Sequence, residues 1–115
     1  MDLIRAVPIL TVTDVDAAVQ EYRELLGLEV LMNLGWVATL GTSGAAQFSV
    51  MDVDRSAPCN PQMSVEVPDV DAAYERARET GADIVHPLQD EDWGVRRFFV
   101  RTSDGQVVNV LGHRA

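Results

Sequence analysis

A chain of 115 residues, 47% apolar and 23% charged, is long enough to bury one core and too apolar to remain disordered. Its 18 acidic against 9 basic residues give a formal charge of −9, which repels a phosphate backbone, argues against nucleic acid as a partner and would draw in a cationic ligand, while also serving solubility. No apolar run reaches bilayer length, the first residues lack the features of a signal peptide, and Cys59 is the only cysteine, so the expectation is a cytoplasmic protein with neither membrane partner nor disulfide.

From the N-terminus, an apolar stretch through Val7, Ile9 and Thr11 predicts a strand. Asp14 suits a helix N-cap, because its carboxylate accepts from free amides at the positive helix end. Val15, Ala18, Val19, Tyr22, Leu25 and Leu26 then fall on one helical face, and Gly27 ends the helix. Residues 28–33, 36–41 and 45–51 read as three strands, the last two joined by the turn Thr42-Ser43-Gly44. Residues 52–61, with Pro58, Asn60 and Pro61, have no clear period and read as a linker.

The pattern then starts again. Val12-Thr13-Asp14-Val15-Asp16-Ala17-Ala18 recurs as Val67-Pro68-Asp69-Val70-Asp71-Ala72-Ala73, 55 residues later, with six of seven positions identical. Val70, Ala73, Tyr74 and Ala77 form the second helical face, which Gly81 closes. Strands over 83–89, 95–101 and 106–112 follow, the final turn being Thr102-Ser103-Asp104-Gly105. The prediction is an α+β domain over 1–115, made of two tandem βαβββ modules at about 5–51 and 62–113. Four strands and one helix leave a sheet face that the second module or another chain must cover, and the two modules are expected to form a cupped, eight-stranded mixed sheet with one helix each.

The helix start Val12-x-Asp14-Val15-Asp16-Ala17-Ala18-x-x-x-Tyr22, the Leu26-Gly27 helix end and the closing run from Trp93 to Leu111 together resemble the vicinal oxygen chelate superfamily, which unites glyoxalases, bleomycin-resistance proteins and dioxygenases. The resemblance covers the whole chain. It implies paired modules, a homodimer and a site inside the cupped sheet. Members include metal-dependent isomerases, epimerases, dioxygenases and antibiotic-modifying transferases, and also metal-free proteins that sequester cytotoxic natural products.

Metal-dependent relatives place His, Glu or Gln at four inward strand positions. The first pair maps to Val7 and Gln62, each seven residues before a capping aspartate. The second maps to Phe48 and Asn109, each four residues beyond a hairpin glycine, with Gln47 one position away from Phe48. Valine and phenylalanine supply no lone pair, and neutral amides are weak ligands on their own. No metal, cofactor or catalytic residue is therefore expected. Cys59 has no base beside it in sequence, and His86 is expected to pack or to face solvent.

Strand alternation sorts the remaining candidates. Val7, Ile9, Gln62, Ser64 and Glu66 are expected to face the cup, as are Phe48, Val50 and Phe99. Asn109, Leu111 and, if the last strand continues, His113 join them. Trp36 and Trp93 hold comparable places before the third strand of each module, where indoles would stack on a flat or cationic ligand, or else serve the core or a dimer interface. The run Gln89-Asp90-Glu91-Asp92 reads as a solvated loop or an acidic rim. With the metal positions unfilled and the two tryptophans paired, the resemblance implies metal-free sequestration of a planar, cytotoxic natural product of the bleomycin, mitomycin or enediyne kind. Rival readings are a glyoxalase-like lyase, isomerase or dioxygenase with a displaced metal site, acid–base chemistry by Glu66 or His113, and a regulatory module with an empty cup.

Overall fold

The computed structural model describes residues 2–113 and is α+β, with eight strands, parallel and antiparallel, and two helices. The elements are β1 (Arg5–Thr11), α1 (Val15–Leu26), β2 (Glu29–Asn33), β3 (Val37–Gly41), β4 (Gln47–Met51), β5 (Met63–Glu66), α2 (Val70–Glu79), β6 (Asp83–Asp90), β7 (Val95–Arg101) and β8 (Val107–His113). No helix among the described residues is long and apolar enough to cross a membrane.

Two compact units emerge. One is Val7–Asn60; the other joins Met1–Ala6 to Pro61–Ala115. In the first, the strand order is β2-β3-β4-β1, with β1 and β4 parallel and the other pairs antiparallel. In the second, the order β5-β8-β7-β6 repeats that plan, with β5 and β8 parallel. The second unit also takes in the chain start, where the Ile4 amide donates to the Glu66 carbonyl at 2.8 Å.

The helices form where the repeated motif dictates. Asp14 and Asp69 are extended N-caps whose carboxylates accept from the Ala17 and Ala72 amides, each at 3.0 Å. Gly27 closes α1 in the left-handed region at φ 65°, returning its amide to the Arg23 carbonyl. α2 stops one residue earlier than the pattern suggests, at Thr80, with Gly81 following at φ 73°.

Each helix covers one sheet face. Val15 and Val19 of α1 meet Ala38, Leu40 and Val50, with Tyr22 edge-on to Phe48 at 5.0 Å. Val70 and Ala73 of α2 meet Val67 and Phe98, with Tyr74 edge-on to Phe98 at 5.0 Å. Phe48 and Val50, expected to face the cup, point toward α1, because the two hairpins match at their threonines and not at their glycines. Leu25 and Leu26, expected on the buried face of α1, are exposed, since the helix end overhangs its core.

In both hairpins a threonine sets the turn: the Thr42 amide donates to Ala46 and the Thr102 amide to Gln106, 60 residues on. Gly44 therefore corresponds to Asp104, and Gly105 to Ala45. The counterpart of Asn109 is Ser49, which pairs with Ile9 just as Asn109 pairs with Ser64.

Candidate functional site

In the second unit the face away from α2 is built from cross-strand rows. His86, Phe99, Asn109 and Ser64 form one row across β6, β7, β8 and β5. Arg97, Leu111 and Glu66 form the next, and His113 pairs with Val95 at the end of β8. Thus Ser64, Glu66, Phe99, Asn109, Leu111 and His113, all expected on one face from alternation, do share it.

The β6–β7 side of this face is filled by its own side chains. Arg97 is 3% exposed and lies between the rings of Trp93 and Phe99, its guanidinium carbon 4.9 and 4.8 Å from their centroids. His86, 2% exposed, stacks on Phe99 at 4.9 Å. One oxygen of buried Glu91 accepts from Arg97 Nε and Gln89 Nε2, both at 3.1 Å, and lies 3.2 Å from His86 Nε2. The other imidazole nitrogen, Nδ1, donates to the Pro87 carbonyl at 2.7 Å. A buried guanidinium and carboxylate are tolerable only when paired and bonded in this way.

Sequence reasoning missed Arg97 and Glu91. Arg97 was legible, because alternation places it on the face of Phe99, two residues on. Glu91 was not, since nothing separates it from Asp90 and Asp92, which are exposed as a solvated run would be. Trp93 is half-buried and spends one ring face on Arg97. Nor does it match Trp36. Leu34 and Val37 close a turn with Gly35 before the indole, whereas Glu91 and Val95 close a longer one with Gly94 after it.

The β5–β8 side is more open. Asn109 Nδ2 donates to Ser64 Oγ at 3.0 Å, while Asn109 Oδ1 is buried with no partner. Gln62 Oε1 accepts from the Val107 amide at 2.6 Å, so that side chain ties β5 to β8. Glu66 is clamped by Arg5 Nε at 3.1 Å and lies 3.6 Å from His113 Nε2. Its carboxylate thus already has a cationic neighbour.

In the first unit, Val7 is buried and Ile9 and Trp36 are half-buried. Thr39 and Ser49, both on the face away from α1, share a hydrogen bond of 2.7 Å.

The residues at the family's four metal positions do not fit a metal. With the register corrected these are Val7, Ser49, Gln62 and Asn109. Valine has no donor atom, Ser49 is engaged by Thr39, the Gln62 oxygen is engaged by Val107, and none supplies an imidazole or a carboxylate. Among the described residues no group of three or more His, Cys, Asp or Glu is placed to hold an ion.

The repeated βαβββ units, each with a helix on one face and a polar row on the other, define a class that comparison with known proteins makes explicit. The family model for the Glyoxalase/Bleomycin resistance protein/Dioxygenase superfamily matches residues 4–110, and the chain belongs to that superfamily. No curated protein sequence matches it. Among solved structures it is similar to an NAD-dependent benzaldehyde dehydrogenase from Legionella pneumophila, at 15% identity and TM-score 0.81, covering 96% of this chain and 100% of that one. A superfamily member from Vibrio splendidus 12B01 matches at 21% identity and TM-score 0.73, with 96% and 99% covered. Methylmalonyl-CoA epimerase from Mycobacterium tuberculosis matches at 22% identity and TM-score 0.73, with 94% and 86% covered. At these identities the likeness is one of fold.

Proposed function

We propose that this chain is a metal-independent binding protein that sequesters a small cytotoxic natural product, of the bleomycin, mitomycin or enediyne kind, and so protects its host. The observation that carries the reading is the donor set at the four family positions, where valine, serine, glutamine and asparagine replace the imidazoles and carboxylates that chelation chemistry requires. Burial against apolar side chains, with sparse polar groups for orientation, suits stoichiometric capture of an organic molecule. Acid–base catalysis by Glu66 is disfavoured by its ion pair with Arg5. Action as a homodimer in the cytoplasm belongs to the same proposal.

The test is titration of the purified protein with bleomycin, mitomycin C and an enediyne chromophore, followed by tryptophan fluorescence with and without EDTA. The expected result is saturable binding of at least one compound that EDTA leaves unchanged. Binding that EDTA abolishes, or no binding of any of the three, overturns it.

A further inference from the structure

Asn109 presents an anomaly that the fold alone does not explain. It is 6% exposed, its Nδ2 is spent on Ser64 Oγ at 3.0 Å, and its Oδ1 is buried without a hydrogen-bond partner. A buried acceptor left unmade forfeits its bond to water, a cost that native structures ordinarily avoid. Ser64 Oγ accepts from Asn109, so its own proton remains available, and Ser64 is only half-buried. An acceptor therefore sits beside a donor, on adjacent paired residues of β8 and β5. Phe99 and Leu111 flank Asn109 in the same face, Phe99 directly across β7 and Leu111 two residues along β8.

We infer that Ser64 and Asn109 form a recognition pair for a neutral amide edge, an N–H and a C=O on the same side of a lactam or primary carboxamide. The ligand N–H donates to Asn109 Oδ1 and the ligand carbonyl accepts from the Ser64 hydroxyl. Exchanging the two ends of the Asn109 amide reverses the pattern without losing it, because Ser64 still engages one end and the other still lacks a partner. The pair carries no formal charge, so it discriminates by hydrogen-bond pattern, and a ligand lacking the N–H leaves the buried oxygen unpaired. This deepens the binding reading above and rests on it, naming the chemical group that the captured molecule presents.

The experiment is a titration of the full, uniformly 15N-labelled chain with 2-pyrrolidinone and, in parallel, N-methyl-2-pyrrolidinone, followed by NMR. The two share ring and carbonyl and differ in the N–H. The lactam is expected to shift the Asn109 side-chain amide and the Ser64 backbone amide, and the N-methyl compound to bind about tenfold more weakly, as loss of one hydrogen bond to a buried acceptor implies. Asn109→Leu, similar in volume and without the orphan oxygen, is expected to raise Tm and abolish the response; Ser64→Ala is expected to weaken it. Equal binding of the two compounds, absence of any response at these residues, or a lowered Tm in Asn109→Leu overturns the inference. Drug binding in the fluorescence titration stands or falls separately, because it does not depend on which group the site recognises.

Discussion

At the residue scale, the buried ions of the second unit tie its side chains together. Glu91 Oε1 gathers Arg97, Gln89 and His86 within 3.2 Å, and Arg97 is also held between two aromatic rings. Such a cluster is a weak source of stability while intact, since desolvation offsets most of the attraction, but breaking it leaves an unpaired charge in the interior. Glu91→Ala is accordingly expected to cost about 3–5 kcal/mol in urea denaturation. The double variant Glu91→Leu with Arg97→Met, which removes both charges and keeps apolar bulk, is expected to recover most of that loss. A double variant no more stable than the single one would show that the ring contacts of Arg97, and not its charge balance, hold this region. The sequence exposed only half of this arrangement. Alternation along β7 puts Arg97 beside Phe99, but which acid of the 90–92 run turns inward depends on the length of the β6–β7 turn, and that is set by tertiary packing.

At the element scale, the repeat made most of the fold legible. Both capping aspartates, both helices and every strand follow from the motif and the alternation, because caps and periodicity are local signals. Phe48 shows where that legibility ended. Glycine suggests one alignment of the two hairpins, yet Gly44 and Gly105 occupy successive positions of the same turn, both at positive φ, at 73° and 89°. A type of residue is not a register; the hydrogen bonds of Thr42 and Thr102 are. Since a one-residue slip turns every side chain to the opposite face, aligning the glycines places Phe48 and Val50 outside the core and Ser49 within it, the reverse of what the structure has. The same strand ends give a contrast to measure. A Cβ on Gly41, at φ 142°, would clash with the Ala46 carbonyl oxygen, whereas one on Gly44 meets nothing within 4 Å. Gly44→Ala should cost about 1–2 kcal/mol, the ordinary penalty of left-handed backbone. Gly41→Ala should cost more, on the order of 3 kcal/mol, because the hairpin must open to admit the methyl group. Thermal unfolding of the two variants reads the difference, and equal losses would mean that β3 and β4 separate there without resistance.

At the scale of the whole molecule, charge and the missing donor set act on the same measurement. The formal charge of −9 implies net self-repulsion, which salt screens. Exposed ion pairs such as Arg78 with Glu75, Arg96 with Asp71 and Asp90, and Arg101 with Asp83 work the other way. The Arg96 guanidinium is held above its usual pKa by its hydrogen bonds to Asp71 and then Asp90, which outweigh its desolvation. Exposed pairs nonetheless contribute little to stability and are themselves weakened by salt. Excess repulsion should therefore win, and Tm should rise as sodium chloride is raised from low to physiological ionic strength. Magnesium, manganese or zinc salts at matched ionic strength should add nothing further, because a cation that binds the native state at a defined site would raise Tm in proportion to the logarithm of its concentration. An excess rise with one divalent ion would reveal a site built from other donors than the four family positions, and with it the chemistry that the valine, serine, glutamine and asparagine there argue against.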